Sequence, residues 1–183
     1  MTERLPRCRE TTRSTESPGT RLVFYVANAG DGGPVKLVLL ALALTHRMSS
    51  SNVVARLHDL WNSGDLSAIP SVYAERFRAH MPAGWDLPRI EGHAGAGFLI
   101  SRIRNAFPDW HEEVHDIVEG KDRVVTRYTS TGTNSGSLDG RQPTGRRIAV
   151  QEISIYKIES GLVCEQWCLA DDISFARQMG LLA

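Results

Sequence analysis

Cysteine is scarce in this 183-residue chain: Cys8, Cys164 and Cys168 are the whole supply. Three thiols at irregular spacing cannot build the disulfide framework of a small secreted scaffold, and a reduced, cytoplasmic setting is the default. On one strand Cys164 and Cys168 would share a face about 13 Å apart, too far to bond each other. The C-x-x-C and H-E-x-x-H spacings are missing, and Asp109-Trp-His111 lacks a third ligand at sensible spacing, so no metal site is indicated. Net charge is lacking too, since 21 Lys and Arg balance 21 Asp and Glu. Seven basic residues face four acidic ones through residue 47, and 14 face 17 thereafter. A mildly acidic body carries no electrostatic footprint for nucleic acid. The apolar run Leu37–Leu44 falls far short of the ~20 residues of a membrane span. Internal repeats and strand–helix alternation are absent, which argues against a Rossmann unit. Pro143-Thr-Gly145 is no phosphate loop, because no lysine and helix follow.

What is present reads as one ordinary globular domain, with 42% apolar and 23% charged residues. Residues 1–47 stand apart. Their first part is rich in Arg, Thr, Ser and Glu with little to bury, so disorder is expected. Leu37–Leu44 has the length of a signal-peptide core but begins late, and no small-x-small site follows it. Two expectations stand side by side: a leader, or an extension translated upstream of a start at Met48. The domain itself is expected over 48–183.

Ser51 or Asn52 can cap a first helix carrying Val53, Val54, Leu57, Leu60 and Trp61 at three-four spacing. This pattern leaves His58 on the polar side. Gly64 suits the helix end, and Asp65 caps a second helix containing Pro70. Phe77–His80 reads as a short extended piece. Ala94–Phe107 forms a third helix closed by Pro108, with Asp109 organising the turn that follows. The period then changes to two, giving strands Glu112–Glu119, Arg123–Thr133, Arg147–Glu159 and Leu162–Asp171. Tight connections imply consecutive antiparallel pairing. Helices followed by a meander predict an α+β domain, three N-terminal helices packed on a curved antiparallel sheet.

Unbroken alternation over the last strand puts Val163, Glu165, Trp167, Leu169 and Asp171 on one face. A carboxylate among apolar neighbours loses solvation, which raises its pKa and makes it a usable base. The competing reading makes Asp171 the cap of a helix over Ile173–Met179; on spacing alone the cap is the plainer one. Arg127, inside a strand, needs a carboxylate or a wet cavity, and Glu165 is a candidate partner. Gln151 and Glu152 must face opposite ways, so one alone looks inward; Gln151 is the candidate for substrate contact. Trp167 could stack on a flat substrate or simply fill core. His80 could donate to a substrate oxygen or bond a backbone group.

Residues 52–183 resemble the SnoaL-like polyketide cyclases, also called ester cyclases, within the NTF2-like superfamily. The resemblance rests on Trp61-Asn-Ser-Gly-Asp65, Ala106-Phe-Pro-Asp109, Gly120-Lys-Asp-Arg-Val124, Gly132-Thr133, Pro143-Thr-Gly-Arg146 and Gly161. Glu165, Trp167, Asp171, Gln178 and Gly180 complete it. It implies an NTF2-like cone enclosing a pocket, and aldol-type ring closure in a bulky, hydrophobic carbonyl substrate without metal or organic cofactor. It also implies an acid/base role for Asp171, with His80 facing the pocket. Asn134 stands where many relatives carry a His; it can hydrogen-bond a substrate oxygen, as Glu165 can contact substrate, but it cannot exchange a proton, so a second acid/base group is missing there. A non-catalytic ligand-binding or dimerising domain, and an isomerase or epoxide hydrolase, are the other readings. Asp171 separates the enzymatic from the non-catalytic reading: if it is solvent-exposed with no cavity beside it, the enzymatic reading collapses. Apolar residues on both faces of Arg147–Glu159, Ile153 and Ile155 against Val150 and Tyr156, predict a homodimer through the outer sheet face.

Overall fold

The computed structural model describes residues 50–182; both expectations for residues 1–47, and Cys8 with them, lie outside the described residues. Helix α1 (Ser50–Ser63) buries Val53, Val54, Leu57, Leu60 and Trp61, as the spacing predicts, and also His58. His58 lies four residues after Val54 and three before Trp61, so it shares their stripe. Gly64, at φ 70°, ends the helix in the left-handed region. Asp65 opens a 3-10 turn at Leu66–Ala68 by accepting the Ser67 N–H at 3.0 Å. Helix α2 (Ile69–Val72) follows, with Pro70 in its first turn, where no N–H is needed.

Strand β1 (Tyr73–His80) is longer than the predicted extended piece. It lies between β2 (Ile90–Glu91) and the last strand, which satisfy its backbone on both sides. Helix α3 (Gly92–Ala106) then carries the chain to the far edge of the sheet. From there β3 (His111–Glu119), β4 (Arg123–Thr133), β5 (Arg147–Glu159) and β6 (Leu162–Ala170) run as an antiparallel meander. Helix α4 (Asp172–Met179) closes the described chain. The strand order is β2-β1-β6-β5-β4-β3. The β1–β6 pairing is parallel, unlike the wholly antiparallel sheet expected. It arises because the meander ends beside the strand that preceded α3. Four helices on a six-stranded sheet give the NTF2-like α+β architecture that the resemblance implies.

The helices cover one face of the sheet, with α1 against β3 and β4, α3 against β1, and α4 against β5. On β4 and β5 the even-numbered residues point into that core, from Val124 to Gly132 and from Ile148 to Tyr156. On β6 the alternation is broken. Lys157 pairs with Glu165 but Ile158 pairs with Val163, so β6 carries one extra residue, Cys164. Such a bulge inverts which face later residues occupy. Val163 is therefore buried at the strand's start, whereas beyond the bulge the inward residues are Gln166, Cys168 and Ala170.

Candidate functional site

Polar groups from four strands and one helix meet beneath the helical layer, and the bulge turns Cys168 and Gln166 of β6 toward them. Glu152 (β5) pairs across the sheet with Tyr128 (β4) and Ala170 (β6). Its Oε2 accepts from Tyr128 Oη at 3.2 Å and from Cys168 Sγ at 3.4 Å, and Tyr128 Oη lies 3.0 Å from Ser154 Oγ. Behind this group His58 Nδ1 meets Glu112 Oε2 at 2.6 Å, and Trp110 Nε1 donates to Glu112 Oε1 at 3.2 Å. The second ring nitrogen of His58 lies 3.3 Å from Thr126 Oγ1. All of these side chains except Trp110 belong to strand or helix positions whose parity or helical face points inward.

Two spaces that share several wall residues border this cluster. An inner chamber of about 40 Å³ has Glu112, Tyr128, Glu152, Tyr156, Gln166 and Cys168 among its walls. A wider groove of about 610 Å³ lies outside it, with Leu87, Phe98, Phe107, Val150 and Phe175 as apolar surface. Trp85, Ile103, Trp110 and Glu152 line both. Glu152 is the one titratable side chain shared by the two. Burial, and then the neighbouring Glu112 charge, push its carboxyl up to about 7, against hydrogen bonds that favour the anion. Burial likewise raises Tyr128 and Tyr156, keeping both hydroxyls protonated. Cys168 is raised by burial and by Glu152, so it is a thiol.

Asp172 and Trp85 join across the groove, Trp85 Nε1 donating to Asp172 Oδ1 at 2.7 Å. Arg102 is tied to Asp139, with Nε donating to Oδ1 at 2.7 Å, on another wall. Among the described residues no cluster of three or more His, Cys, Asp or Glu is placed to hold a metal ion. No helix among them is long and apolar enough to cross a membrane.

The model of the SnoaL-like polyketide cyclase family matches residues 51–179. The chain belongs to that family. No curated protein matches it. Among solved structures, IdmH of Streptomyces antibioticus, a proposed polyketide cyclase, shares 27% identity over 72% of this chain and 98% of its own, with a TM-score of 0.64. TsrD of Streptomyces laurentii shares 29% over 74% and 98%, with a TM-score of 0.66. AclR of Streptomyces galilaeus, a proposed hydroxylase, shares 26% over 73% and 82%, with a TM-score of 0.63. Similar frames thus carry differently named reactions, and the site has to decide.

In this SnoaL-like domain the residues expected at the site from sequence fall elsewhere. Asp171 is exposed and caps α4, its Oδ1 accepting from Ser174 N–H at 2.9 Å, so the capping reading describes its geometry. The β6 bulge is the reason it does not share a buried face with Val163. His80, Glu165 and Trp167 do come together, but on the outer face of the sheet. The His80 ring stacks on Trp167 at 4.9 Å, and its Nε2 lies 3.4 Å from Glu165 Oε2. Arg123 sits 5.4 Å over the same indole. Arg127, also outward, pairs with Asp116 at 2.6 Å and not with Glu165. Gln151 is exposed, because even parity on β5 sends Glu152 inward. Asn134 is buried but consumed by its loop: it donates to Ala106 and Gly136 carbonyls and accepts from Thr144 N–H at 2.7 Å. Asp109 holds Thr133 N–H at 2.6 Å, the turn role expected of it.

Sequence reasoning missed Glu112, His58 and Gln166, and of the pair Gln151 and Glu152 it favoured the residue that faces outward. For His58 the signal was its spacing from Val54 and Trp61. For Glu152 it was a parity shared with Val150 and Tyr156, obscured because Ile153 and Ile155 make the other face equally apolar.

Proposed function

We propose that this domain is a cofactor-independent cyclase-type enzyme in which Glu152 moves the proton. The observation that carries the reading is the buried Glu152 carboxylate, raised to about 7, which lines both a wide, mostly apolar groove and a small chamber. Removing a proton beside two carbonyls needs a base with a pKa near ambient and donors for the developing enolate oxygen. Glu152 takes the α-proton. The enolate carbon then attacks a second carbonyl of the same molecule, forming the C–C bond, and the resulting alkoxide takes the proton back from Glu152. Tyr128 and Tyr156 line the chamber with protonated hydroxyls that can meet the enolate oxygen. The aromatic and aliphatic groove supports a bulky, hydrophobic carbonyl compound as substrate. The reading moves the acid/base role from Asp171 to Glu152.

Purified protein incubated with a panel of poly-carbonyl esters tests it. Glu152→Gln is expected to lower turnover by about 10²–10⁴-fold, the range for a general base, whereas Asp171→Asn is expected to stay within about twofold of the unaltered protein, as a residue outside the reaction should. Equal rates for Glu152→Gln and the unaltered protein would remove Glu152 from the mechanism. A ligand-binding domain without turnover is the second reading, favoured by the outward placement of His80 and Asp171. It predicts binding of the same esters with no product from any variant.

In the same reading the protein works in the cytoplasm as a homodimer through its outer sheet face. Ile153, Ile155 and Leu169 are 47%, 37% and 72% exposed there, an apolar patch suited to a second copy. Sedimentation at micromolar concentration is expected to give a dimer; a monomer would discard the idea.

A further inference from the structure

Among the described residues the Gln166 side chain carries a buried oxygen, Oε1, without a hydrogen-bond partner. Gln166 is 4% exposed and forms part of the chamber wall. An unpaired buried amide oxygen is costly unless something arrives to satisfy it. The charged groups lining the chamber are Glu112 and Glu152, which would repel an anion. About 10–15 Å³ is enough for one water. A chamber of about 40 Å³ therefore takes an oxygen-sized group and excludes a second ring.

We infer that the chamber is a subsite for one uncharged hydroxyl, phenolic or enolic, carried by a flat substrate whose apolar body lies in the groove. This inference rests on the groove being a substrate pocket, as proposed above. A hydroxyl both donates and accepts, so it satisfies the Gln166 amide in either orientation and can also donate to Glu152. An ether oxygen accepts but cannot donate, so it satisfies neither the Gln166 amide oxygen nor Glu152. A carboxylate meets two acidic side chains. A water could fill the same place, and in that case the ligand's hydroxyl would gain nothing by entering.

Equilibrium dialysis of the full-length protein with 2-naphthol, 2-methoxynaphthalene and 2-naphthoate separates these outcomes. The expected order is 2-naphthol at least about tenfold tighter than 2-methoxynaphthalene, a ratio worth ~1.4 kcal/mol, with 2-naphthoate weakest. In Gln166→Leu the naphthol preference is expected to fall below about twofold, since the leucine offers no polar partner. Equal binding of naphthol and its methyl ether by the unaltered protein would overturn the inference and leave water as the occupant. Tight binding of the naphthoate, no binding of any of the three, or an undiminished preference in Gln166→Leu would overturn it as well. The comparison within the unaltered protein stands even if Gln166→Leu does not fold. Ester turnover that depends on Glu152 without a naphthol preference would sink this subsite alone. A naphthol preference without turnover would sink the enzymatic reading and leave the subsite.

Discussion

The two faces of β6 look interchangeable on paper and differ completely in the fold. One bears Gln166, Cys168 and Ala170 against the helices; the other bears Glu165, Trp167 and Leu169. The first face is poorer in aromatic and charged groups, yet it borders the chamber and the groove. The second collects a stacked His–Trp pair and an arginine, and is the more conspicuous in sequence. Composition along a strand therefore says little about which face is inside. Register decides it, and register here turns on one residue, Cys164.

Breaking the comparison outright means adding a residue beyond the bulge. One alanine inserted between Glu165 and Gln166 carries Gln166 and Cys168 outward and drives Trp167 and Leu169 under the helices. That empties a packed site and forces an indole into a filled one, a cost expected to take up much of the ~5–15 kcal/mol that holds a domain together. Loss of near-ultraviolet circular dichroism would show it. Deleting Cys164 is the milder partner, because it leaves Val163 inward and Glu165 outward as they are. An insertion variant as stable as the unaltered protein would mean that register does not set the faces.

A milder change sharpens the contrast between carboxylates inside and outside. Glu152 has a folded-state pKa of about 7, above its ordinary value, so the folded state holds its proton more tightly than the unfolded chain does. The sign follows: stability attached to the proton is full below the ordinary carboxylate range and is lost as pH rises through about 7. The loss by pH 8 is about 3 kcal/mol at ~1.4 kcal/mol per pH unit. Glu152→Gln removes the titration, so the variant is expected to match the unaltered protein near pH 4.5 and to exceed it by that amount at pH 8. Urea unfolding at the two pH values measures it. An equal difference at both would show that Glu152 is not desolvated.

Much of this arrangement could be read from the residues. Arg123–Thr133 and Arg147–Glu159 are strands over the bounds that periodicity gives, and the order of helices before meander fixes the class. These features are legible because hydrophobic period and turn chemistry are local. Face assignment is different, because it depends on a partner strand. Cys164 is as apolar as its neighbours and nothing marks it as the extra residue, so counting from Val163 carries every later side chain to the wrong face. The same limit hid Glu152, whose strand is apolar on both sides. His58 was lost for another reason: a polar residue on an apolar stripe was assigned by its type, although Glu112 waits inside to pair with it.

The smallest effect comes from the outer carboxylate that sequence reasoning favoured. Asp171 is exposed, and its side chain satisfies one backbone N–H at the start of α4. Asp171→Ala should therefore cost what a lost N-cap costs, about 1 kcal/mol. Asp171→Ser, which keeps an oxygen for the Ser174 N–H, should recover most of it. Neither change should alter turnover or the pH dependence of stability near 7, because the proposed mechanism assigns both to Glu152. Thermal melts of the pair, run beside a rate measurement, separate the roles. If Asp171→Ser restored stability but not rate, Asp171 would reach the chemistry after all. If Asp171→Ala lost stability but no rate and Asp171→Ser restored the stability, the cap is its whole contribution.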